Sequence, residues 1–233
     1  MLIEDPWSHL RALTDARIAL GRAGHSIPTR ECLDFQLAHA KARDAVHRTL
    51  DLTRFRSLRP LILRSAAPDR QTYLRRPDLG RSLAPASAAR LVEGDFDAAI
   101  AVADGLSAAA VEQSAVAVVE TIQSELADWS FAPICVVQQG RVAIADEIGE
   151  RLGARISVIL IGERPGLSSP ESMGIYLTWA PRVGRTDAER NCISNIHARG
   201  LSAEFAGRRA AWIMRSARER QVTGVGLRLL AAP

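Results

Sequence analysis

The stretch VILIGERPGLSSPESMGIYLTWAPRVGRTDAERNCISNIH, residues 158–197, contains two apolar runs divided by a polar loop with two glycines. The first run extends back to residue 155 and is almost continuously apolar, which is typical of a strand covered on both faces. The second run, residues 174–179, predicts another strand. After it we expect a polar loop in which Cys192 is the one soft side chain.

The sequence before this stretch alternates between strand and helix patterns. Residues 98–103 predict a strand, and a polar turn separates it from a helix. We expect that helix to bury Val111, Val118 and Ile122 on one face. Two short strands are predicted on either side of Gln139–Gly140.

Helix signals also lie on both sides of the opening stretch. The segment ADEIGERLGA predicts a short helix that is capped by Asp146 and stopped by Gly153. Residues 202–218 predict a longer helix, and residues 225–230 predict a last strand.

Strands that alternate with helices predict a mostly parallel sheet. We therefore expect residues 86–233 to form an α/β domain, with a Rossmann-like sheet and helices on both faces. Residues 1–85 are richer in helix patterns and predict a helical N-terminal extension. Within it, residues 52–85 contain Pro and Gly at intervals and are expected to be irregular.

The clearest helix of the N-terminal extension begins at the segment PTRECLDFQLAHAKARDAVH. Thr29 is its predicted N-cap. Leu33, Leu37 and Ala40 fall on one face, so we expect an amphipathic helix.

The composition permits a substantial core, because 47% of the 233 residues are hydrophobic. The mean hydropathy is -0.01, and the apolar runs are far shorter than the roughly 18 residues that span a bilayer. The first residues lack the basic start and apolar segment of a signal peptide. We expect a cytoplasmic protein that does not associate with membranes.

The net charge is +4, and Lys41 is the only lysine among 30 basic residues. A GC-rich genome that favours arginine codons would explain this composition, and so would recognition of phosphate or carboxylate by the planar guanidinium. Acidic residues are interleaved with the arginines, and no basic block contains aromatic residues. We therefore expect no binding of nucleic acid.

The three cysteines lie far apart and form no C-x-x-C motif, so neither a zinc site nor a disulfide framework is predicted. Cys32 and Cys135 lie in regular patterns and are expected to be small core residues. Cys192 differs because its neighbours are polar. His197 lies close enough in sequence to make a nucleophile–base pair conceivable, but no third residue is available to orient it.

In an open α/β sheet, ligands bind beyond the carboxyl ends of the strands. The loop GERPGLSS follows one such end, and Gly162 and Gly166 allow the backbone to approach a ligand closely. Glu163 offers a hydrogen-bond acceptor and Arg164 a donor. The alternative is an ordinary strand-to-helix turn in which a serine caps the next helix.

The usual signatures of nucleotide binding are absent from the α/β region. No G-x-G-x-x-G follows its first strand, and no Walker A motif occurs. A stand-alone nucleotide-binding enzyme with a Rossmann-like sheet nevertheless stays open as the alternative hypothesis.

Five longer motifs follow one another along the chain. They are ARIALGRAGHSIPTRECLDFQLAHAKARDAVH, RSAAPDRQTYLRRPDLGRSL, VADGLSA, GRVAIADEIGERLGA and LIGERPGLSSPESMGIYLTWAPRVGRTDAERNCISNIH. Taken together, they resemble the small subunit (light chain) of ethanolamine ammonia-lyase. The resemblance covers residues 10–214.

The resemblance implies a complex that uses adenosylcobalamin to convert ethanolamine to acetaldehyde and ammonia. In this family the large subunit is a TIM barrel with the substrate site, and the small subunit closes over the lower face of the cobalamin. The cofactor stays base-on, which agrees with the absence here of D-x-H-x-x-G, the motif in which a protein histidine replaces the lower base. The resemblance implies no catalytic residue and no metal ligand in this chain.

The family's cobalamin-contacting positions lie in its G-R-V, G-E-R-P-G and C-I-S-N motifs. Carried over to this sequence, they are Val142, Glu163 and Cys192, with the cysteine as a contact and not as a cobalt ligand. Residues 1–85 are expected to dock on the large subunit. The charged contacts predicted there are Arg75, Arg76 and Asp78.

The family also implies a hetero-oligomer, a trimer of units that each hold two large and two small subunits. Its place is the cytoplasm, either free or within a bacterial microcompartment for ethanolamine catabolism. A purely structural partner protein, which docks without affecting cobalamin affinity, is a third hypothesis.

Overall fold

The computed structural model describes residues 5–14, 16–21 and 24–227. Six strands form one sheet: β1 (Leu61–Arg64), β2 (Phe96–Ala103), β3 (Cys135–Gln138), β4 (Ala154–Gly162), β5 (Met173–Trp179) and β6 (Arg190–Ile196). The helices are α1 (Thr29–His47), α2 (Arg70–Arg75), α3 (Pro85–Ala88), α4 (Ala108–Glu125), α5 (Ile144–Leu152) and α6 (Ala203–Arg220). Short 3-10 turns cover Ser8–Leu13, Leu52–Leu58, Leu79–Arg81, Asp187–Glu189 and Gly224–Gly226.

The strand order is β1-β3-β2-β4-β5-β6. The first four strands run parallel, whereas β5 and β6 are each antiparallel to the strand before them. The reversal follows from the connection between β4 and β5, residues 163–172, which contains no helix. A parallel neighbour would need a crossover of a dozen or more residues. The predicted α/β fold with a mostly parallel sheet is confirmed.

Two helical layers cover the sheet, because the side chains of its central strands alternate between two apolar clusters. Ile100 and Leu160 pack with α4 and α6 on one face. Ala101 and Ile159 pack with α5 on the other face. The predicted burial of Val111, Val118 and Ile122 on α4 is confirmed, and all three are fully buried.

The region after β3 differs from the prediction. Residues 141–143 form no second strand, and the chain turns directly into α5. Asp146 is not the cap of that helix, since Ala143 occupies the N-cap position and Asp146 lies buried inside the first turn. Gly153 does stop the helix, with φ at 71° in the left-handed region that favours glycine.

Cys192 lies in strand β6, so the prediction of a polar loop around it is wrong. Ile193 and Ile196 are buried against one face, while Cys192 and Ser194 are exposed on the other. This alternation is typical of a strand covered on one face only. The predicted last strand is also wrong at its start, because Gly224–Gly226 form a 3-10 turn. Residues 228–230 lie outside the described residues.

The N-terminal extension departs from expectation in three ways. Residues 52–85 are not irregular, because they hold β1 and α2, and β1 pairs with β3 at the edge of the sheet. Thr29 is the first residue of α1, and Pro28 takes the N-cap position. The predicted apolar face of α1 is largely uncovered in this chain, with Leu33 58% and Leu37 55% exposed. The division of the chain at residue 85 stays a prediction.

Of the predicted core cysteines, Cys135 is buried, which confirms its assignment. Cys32 is only partly buried on α1, so its assignment to the core is wrong. Among the described residues, no helix is long and apolar enough to cross a membrane.

Candidate functional site

The edge of the sheet formed by β5 and β6 has one face that α5 leaves uncovered. On this face Tyr176 lies directly opposite Cys192 across the two strands, and the neighbouring thiol helps to raise the pKa of the Tyr176 phenol. The Cys192 Sγ atom also lies 3.1 Å from the hydroxyl oxygen of Ser194. We call the surface formed by Glu163, Tyr176, Cys192 and Ser194 the open face.

Glu163 reaches the open face from the carboxyl end of β4. The Ser172 hydroxyl donates to its Oε2 atom at 2.6 Å, and Glu163 N–H donates to the Ser172 carbonyl at 2.8 Å. A Cβ atom on Gly174 would lie 2.8 Å from Glu163 Oε1, so a larger residue there would make this carboxylate shift. Within the described residues, Ser172 is its one hydrogen-bond donor, which leaves Oε1 able to accept from a ligand.

Tyr176 lies between the other side chains of the open face, since Gly174 approaches both Glu163 Oε1 and the Tyr176 ring and Tyr176 pairs with Cys192. Burial raises the pKa of the Tyr176 phenol most, and the nearby Cys192, Glu163 and Asp187 raise it further. Glu163 and Cys192, which the sequence places 29 residues apart, therefore flank the same phenol. The structure brings these two predicted positions together.

Val142 lies on the same side of the sheet, where it packs against the cluster that contains Ile144 and Ile159. It lines a groove of about 630 Å³. The other lining residues are Pro77, Arg81, Ser82, Arg141, Ala143, Val183, Gly184, Arg185, Thr186, Asp187 and Arg190, and we call this cavity the arginine groove. Because Arg190 lines the groove and lies two residues before Cys192 on β6, the groove and the open face are close together.

One wall of the arginine groove contains a buried ion pair, because Arg190 lines the groove. Arg190 Nη2 donates to Asp146 Oδ2 at 2.7 Å, and the two side chains are 3% and 2% exposed. Burial raises the pKa of Asp146 to about 6, although the charge of Arg190 acts in the opposite direction. The pair ties the first turn of α5 to the start of β6. Sequence analysis missed it, since no motif links an acid in a helix to an arginine 44 residues later.

The position where doubly wound sheets bind nucleotides is closed in this chain. β2 leads into α4 on one face and β3 leads into α5 on the other, so the switch-point crevice lies between Asp104 and Gln139. Gln139 N–H donates to Asp104 Oδ1 at 2.7 Å, and Arg70 Nη1 donates to Asp104 Oδ2 at 3.1 Å. The crevice is thus bridged by the chain's own polar groups.

Tyr73 on α2 fills the space above this crevice. It is fully buried, and its hydroxyl donates to the Gly140 carbonyl at 3.0 Å. The guanidinium carbons of Arg70 and Arg141 lie 4.8 and 4.3 Å from the centre of its ring. Burial raises the pKa of Asp104 to about 6. A crevice occupied in this way leaves no space for a nucleotide. This argues against the alternative hypothesis of a stand-alone nucleotide-binding enzyme.

The nucleophile pair considered from the sequence does not form. His197 Nε2 lies 2.7 Å from Asn195 Oδ1, whereas Cys192 contacts Tyr176 and Ser194. No group of three or more His, Cys, Asp or Glu side chains among the described residues could hold a metal ion.

The three residues predicted as charged docking contacts are exposed. Arg76 and Asp78 pair with each other in a two-point contact, with Nε to Oδ1 at 3.0 Å and Nη2 to Oδ2 at 2.7 Å. The neighbouring Arg75 also faces solvent. Both ions of the pair are available to a partner, because an exposed pair of this kind contributes little to stability.

The fold and the site define a Rossmann-like α/β subunit with a closed switch point and an open face at the antiparallel edge of its sheet. A family model described as ethanolamine ammonia-lyase light chain (EutC) matches residues 4–228. The chain therefore belongs to the ethanolamine ammonia-lyase light chain family, as its motifs predict, and it is a component of an ammonia-lyase complex.

Curated relatives agree with this assignment. The chain is 57% identical to an ethanolamine ammonia-lyase small subunit of Pseudomonas paraeruginosa over 97% of its own length and 88% of the relative's. It is 56% identical to the small subunit of Azotobacter vinelandii over the same shares. With the small subunit of Xanthomonas campestris pv. campestris it shares 54% identity, over 96% of this chain and 88% of the relative.

Proposed function

We propose that this chain helps to bind adenosylcobalamin, base-on, at an interface with a barrel-type large subunit that converts ethanolamine to acetaldehyde and ammonia. The observation that carries the proposal is the open face together with the adjoining arginine groove. They contain all three cofactor-contacting positions that the motifs predict: Val142, Glu163 and Cys192. Cys192 is exposed there, and Val142 and Glu163 are partly exposed.

The chemistry of these residues fits a corrin, which is a broad apolar disc fringed with amides. Glu163 Oε1, which has no hydrogen-bond partner among residues 5–14, 16–21 and 24–227, can accept a hydrogen bond from an amide N–H. Val142 and the Tyr176 ring offer half-buried apolar surface to the macrocycle or the base. Cys192 is an exposed thiol whose partners are Tyr176 and Ser194. It serves as a polarizable contact and not as a cobalt ligand.

In this proposal the chain holds and orients the cofactor and takes no part in bond making. When bound, adenosylcobalamin supplies the radical chemistry through homolysis of its cobalt–carbon bond. The residues of the open face bind its lower side, exclude water there and fix its position against the large subunit. In this proposal the chain contributes no catalytic residue.

The large subunit would dock on the N-terminal extension. Leu33, Leu37 and Trp7 are each more than half exposed, and such apolar side chains on one region are typical of an interaction surface. The exposed charges of Arg75, Arg76 and Asp78 lie beside the arginine groove, which Pro77 lines. The assembly is a trimer of units with two large and two small subunits each, in the cytoplasm or in a microcompartment.

The test is reconstitution from separately purified subunits. The chain alone should release no acetaldehyde from ethanolamine, and the mixture with the large subunit and adenosylcobalamin should release it. Retention of cobalamin on gel filtration should also need both subunits. Full activity and retention in the large subunit alone would contradict the proposal. Normal docking without any effect on cobalamin affinity would favour a purely structural partner.

A further inference from the structure

The arginine groove is lined by more arginine side chains than nearby carboxylates pair with. Four guanidinium groups and one carboxylate line it. Two of the four are already paired, Arg185 with Glu189 and Arg190 with Asp146. Arg81 and Arg141 form no ion pair within the described part of the chain. Two uncompensated guanidinium groups beside one cavity indicate a site for an anion.

Arg141 is held in place before any ligand arrives. Its N–H donates to the Gly80 carbonyl at 2.7 Å, and its guanidinium stacks on the Tyr73 ring. A Cβ atom on Gly80 would lie 2.7 Å from Arg141 Cγ, so glycine is required for this approach. The Nε atom of Arg141 is buried and has no hydrogen-bond partner. Its Nη2 atom donates only a long hydrogen bond, 3.5 Å, to the Tyr73 carbonyl. The guanidinium therefore has no charged acceptor within the described part of the chain and keeps donors for an anion in the groove.

Arg81 completes the pair from the next turn of the chain. It lies at the end of the turn Leu79–Arg81, directly after the Gly80 that contacts Arg141. Its side chain is exposed and lines the same groove. The two guanidinium groups can therefore approach one anion from adjacent positions.

We propose that Arg81 and Arg141 bind the phosphodiester of the cobalamin's nucleotide tail. The inference rests on the proposed function, because Val142, a predicted cofactor contact, lies next to Arg141 and lines the same groove. The phosphodiester is the one anionic group of the cofactor's periphery, whereas the corrin rim offers only amides. A carboxylate of the large subunit is the competing anion, and the experiment separates the two.

The experiment measures binding to the complex of this chain with its large subunit, by absorbance titration and equilibrium dialysis. Three probes are compared: cyanocobalamin, dicyanocobinamide, which lacks phosphate and base, and cobinamide phosphate, which keeps the phosphate but lacks the base. The variants are Arg81→Gln and Arg141→Lys, and the control is Arg182→Gln. Arg182 is an exposed arginine near the groove that does not line it.

Arg81→Gln should raise the Kd for cyanocobalamin and for cobinamide phosphate about tenfold, since a charge-assisted hydrogen bond to phosphate is lost. The Kd for dicyanocobinamide should not change, and Arg182→Gln should behave like the unaltered chain. Arg141→Lys, which keeps the charge but loses the fork, should show a smaller rise with the same pattern.

Equal losses with all three probes would overturn the phosphate assignment while leaving the proposed function intact. Weakened association of the two subunits, with unchanged affinity of the complex for all probes, would assign the groove to a carboxylate of the large subunit. Failure of the unaltered complex to bind any of the three probes would instead refute the proposed function itself.

Discussion

Two regions of this sheet, one around Asp104 and one around Glu163, differ in how their carboxylates are paired. At the carboxyl ends of β2 and β3, Asp104 is satisfied by Gln139 and Arg70, and Tyr73 closes the space above it. At the β4–β6 edge, Glu163 has a free carboxylate oxygen among the described residues. In one region both oxygens of the carboxylate are paired within the chain, and in the other one oxygen of the carboxylate is left without a partner among the described residues.

This difference teaches where a ligand can bind on a Rossmann-like sheet. The switch-point crevice is the usual ligand position of the architecture, yet here it serves to fix the N-terminal extension onto the domain. The binding surface that we propose lies instead where the sheet reverses direction and no helix follows β4. Fold-level analogy alone would have placed the site at the switch-point crevice and not at the open face.

Removing the Tyr73 side chain, which closes the crevice, should lower the stability of the chain more than any other change considered. Tyr73→Ala deletes a fully buried ring, so we expect the free energy of unfolding to fall by about 3–5 kcal/mol. Tyr73→Phe, the matched control, loses only the hydrogen bond to Gly140, and we expect a fall of about 1 kcal/mol. Urea denaturation measures both. An equal loss in the two variants would mean that the ring contributes nothing to closure.

Asp104 in the crevice should also make the free energy of unfolding depend on pH. The pKa of Asp104 rises from 3.8 to about 6 on folding, so the folded state binds its proton more tightly than the unfolded chain does. The resulting stabilisation is complete below pH 3.8 and is lost as the pH rises through 6. Between pH 4 and 7 this loss amounts to roughly 2 kcal/mol.

Asp104→Asn should therefore flatten the fall of the unfolding free energy between pH 4 and 7. Asp128→Asn, at an exposed site, is the control and should leave the pH profile unchanged. An identical pH profile for Asp104→Asn and the unaltered chain would show that burial of Asp104 does not govern this range. Part of the fall should persist in any case, because burial raises the pKa of Asp146 in the same direction.

On the open face, Glu163→Gln should affect binding more than folding. The amide oxygen can still accept from Ser172, so we expect the stability to change by less than about 0.5 kcal/mol. The Kd of the complex for cobalamin should rise about three- to tenfold, because the charged acceptor is lost. The exposed Glu93→Gln is the control. Unchanged cobalamin retention by Glu163→Gln would remove this residue from the site.

The smallest effect on stability is expected at Cys192. Cys192→Ser changes an exposed side chain, so unfolding should shift by less than about 0.5 kcal/mol. In the folded chain Cys192 should react with a thiol reagent, whereas Cys135 should not. Cys135 is fully buried, and burial raises its pKa to about 12. Mass mapping of the labelled cysteines checks the difference, and labelling of Cys135 at the rate of Cys192 would contradict it.

Sequence patterns predict a strand well when both of its faces are buried, and they predict the end of a helix well when a glycine follows it. β4 is apolar on both faces and was predicted almost to its ends, and Gly153 marks the end of α5. β6 is not predicted, because only one of its faces is buried. Its alternation of apolar and polar residues is therefore short and resembles a polar loop. Glu163 and Cys192 stand out by their place in the sequence, but the prediction that they and Val142 contact the cofactor comes from the family motifs and not from local physics.

By itself, then, the sequence determined the α/β class, the parallel core of the sheet and the family to which the chain belongs. Local periodicity and long motifs are properties of neighbouring residues, which the sequence contains directly. Only the tertiary structure decided that Tyr73 closes the crevice 67 residues away at Gly140, and that Asp146 pairs with Arg190. Such contacts depend on how strands are ordered in space, and no short-range pattern encodes that order.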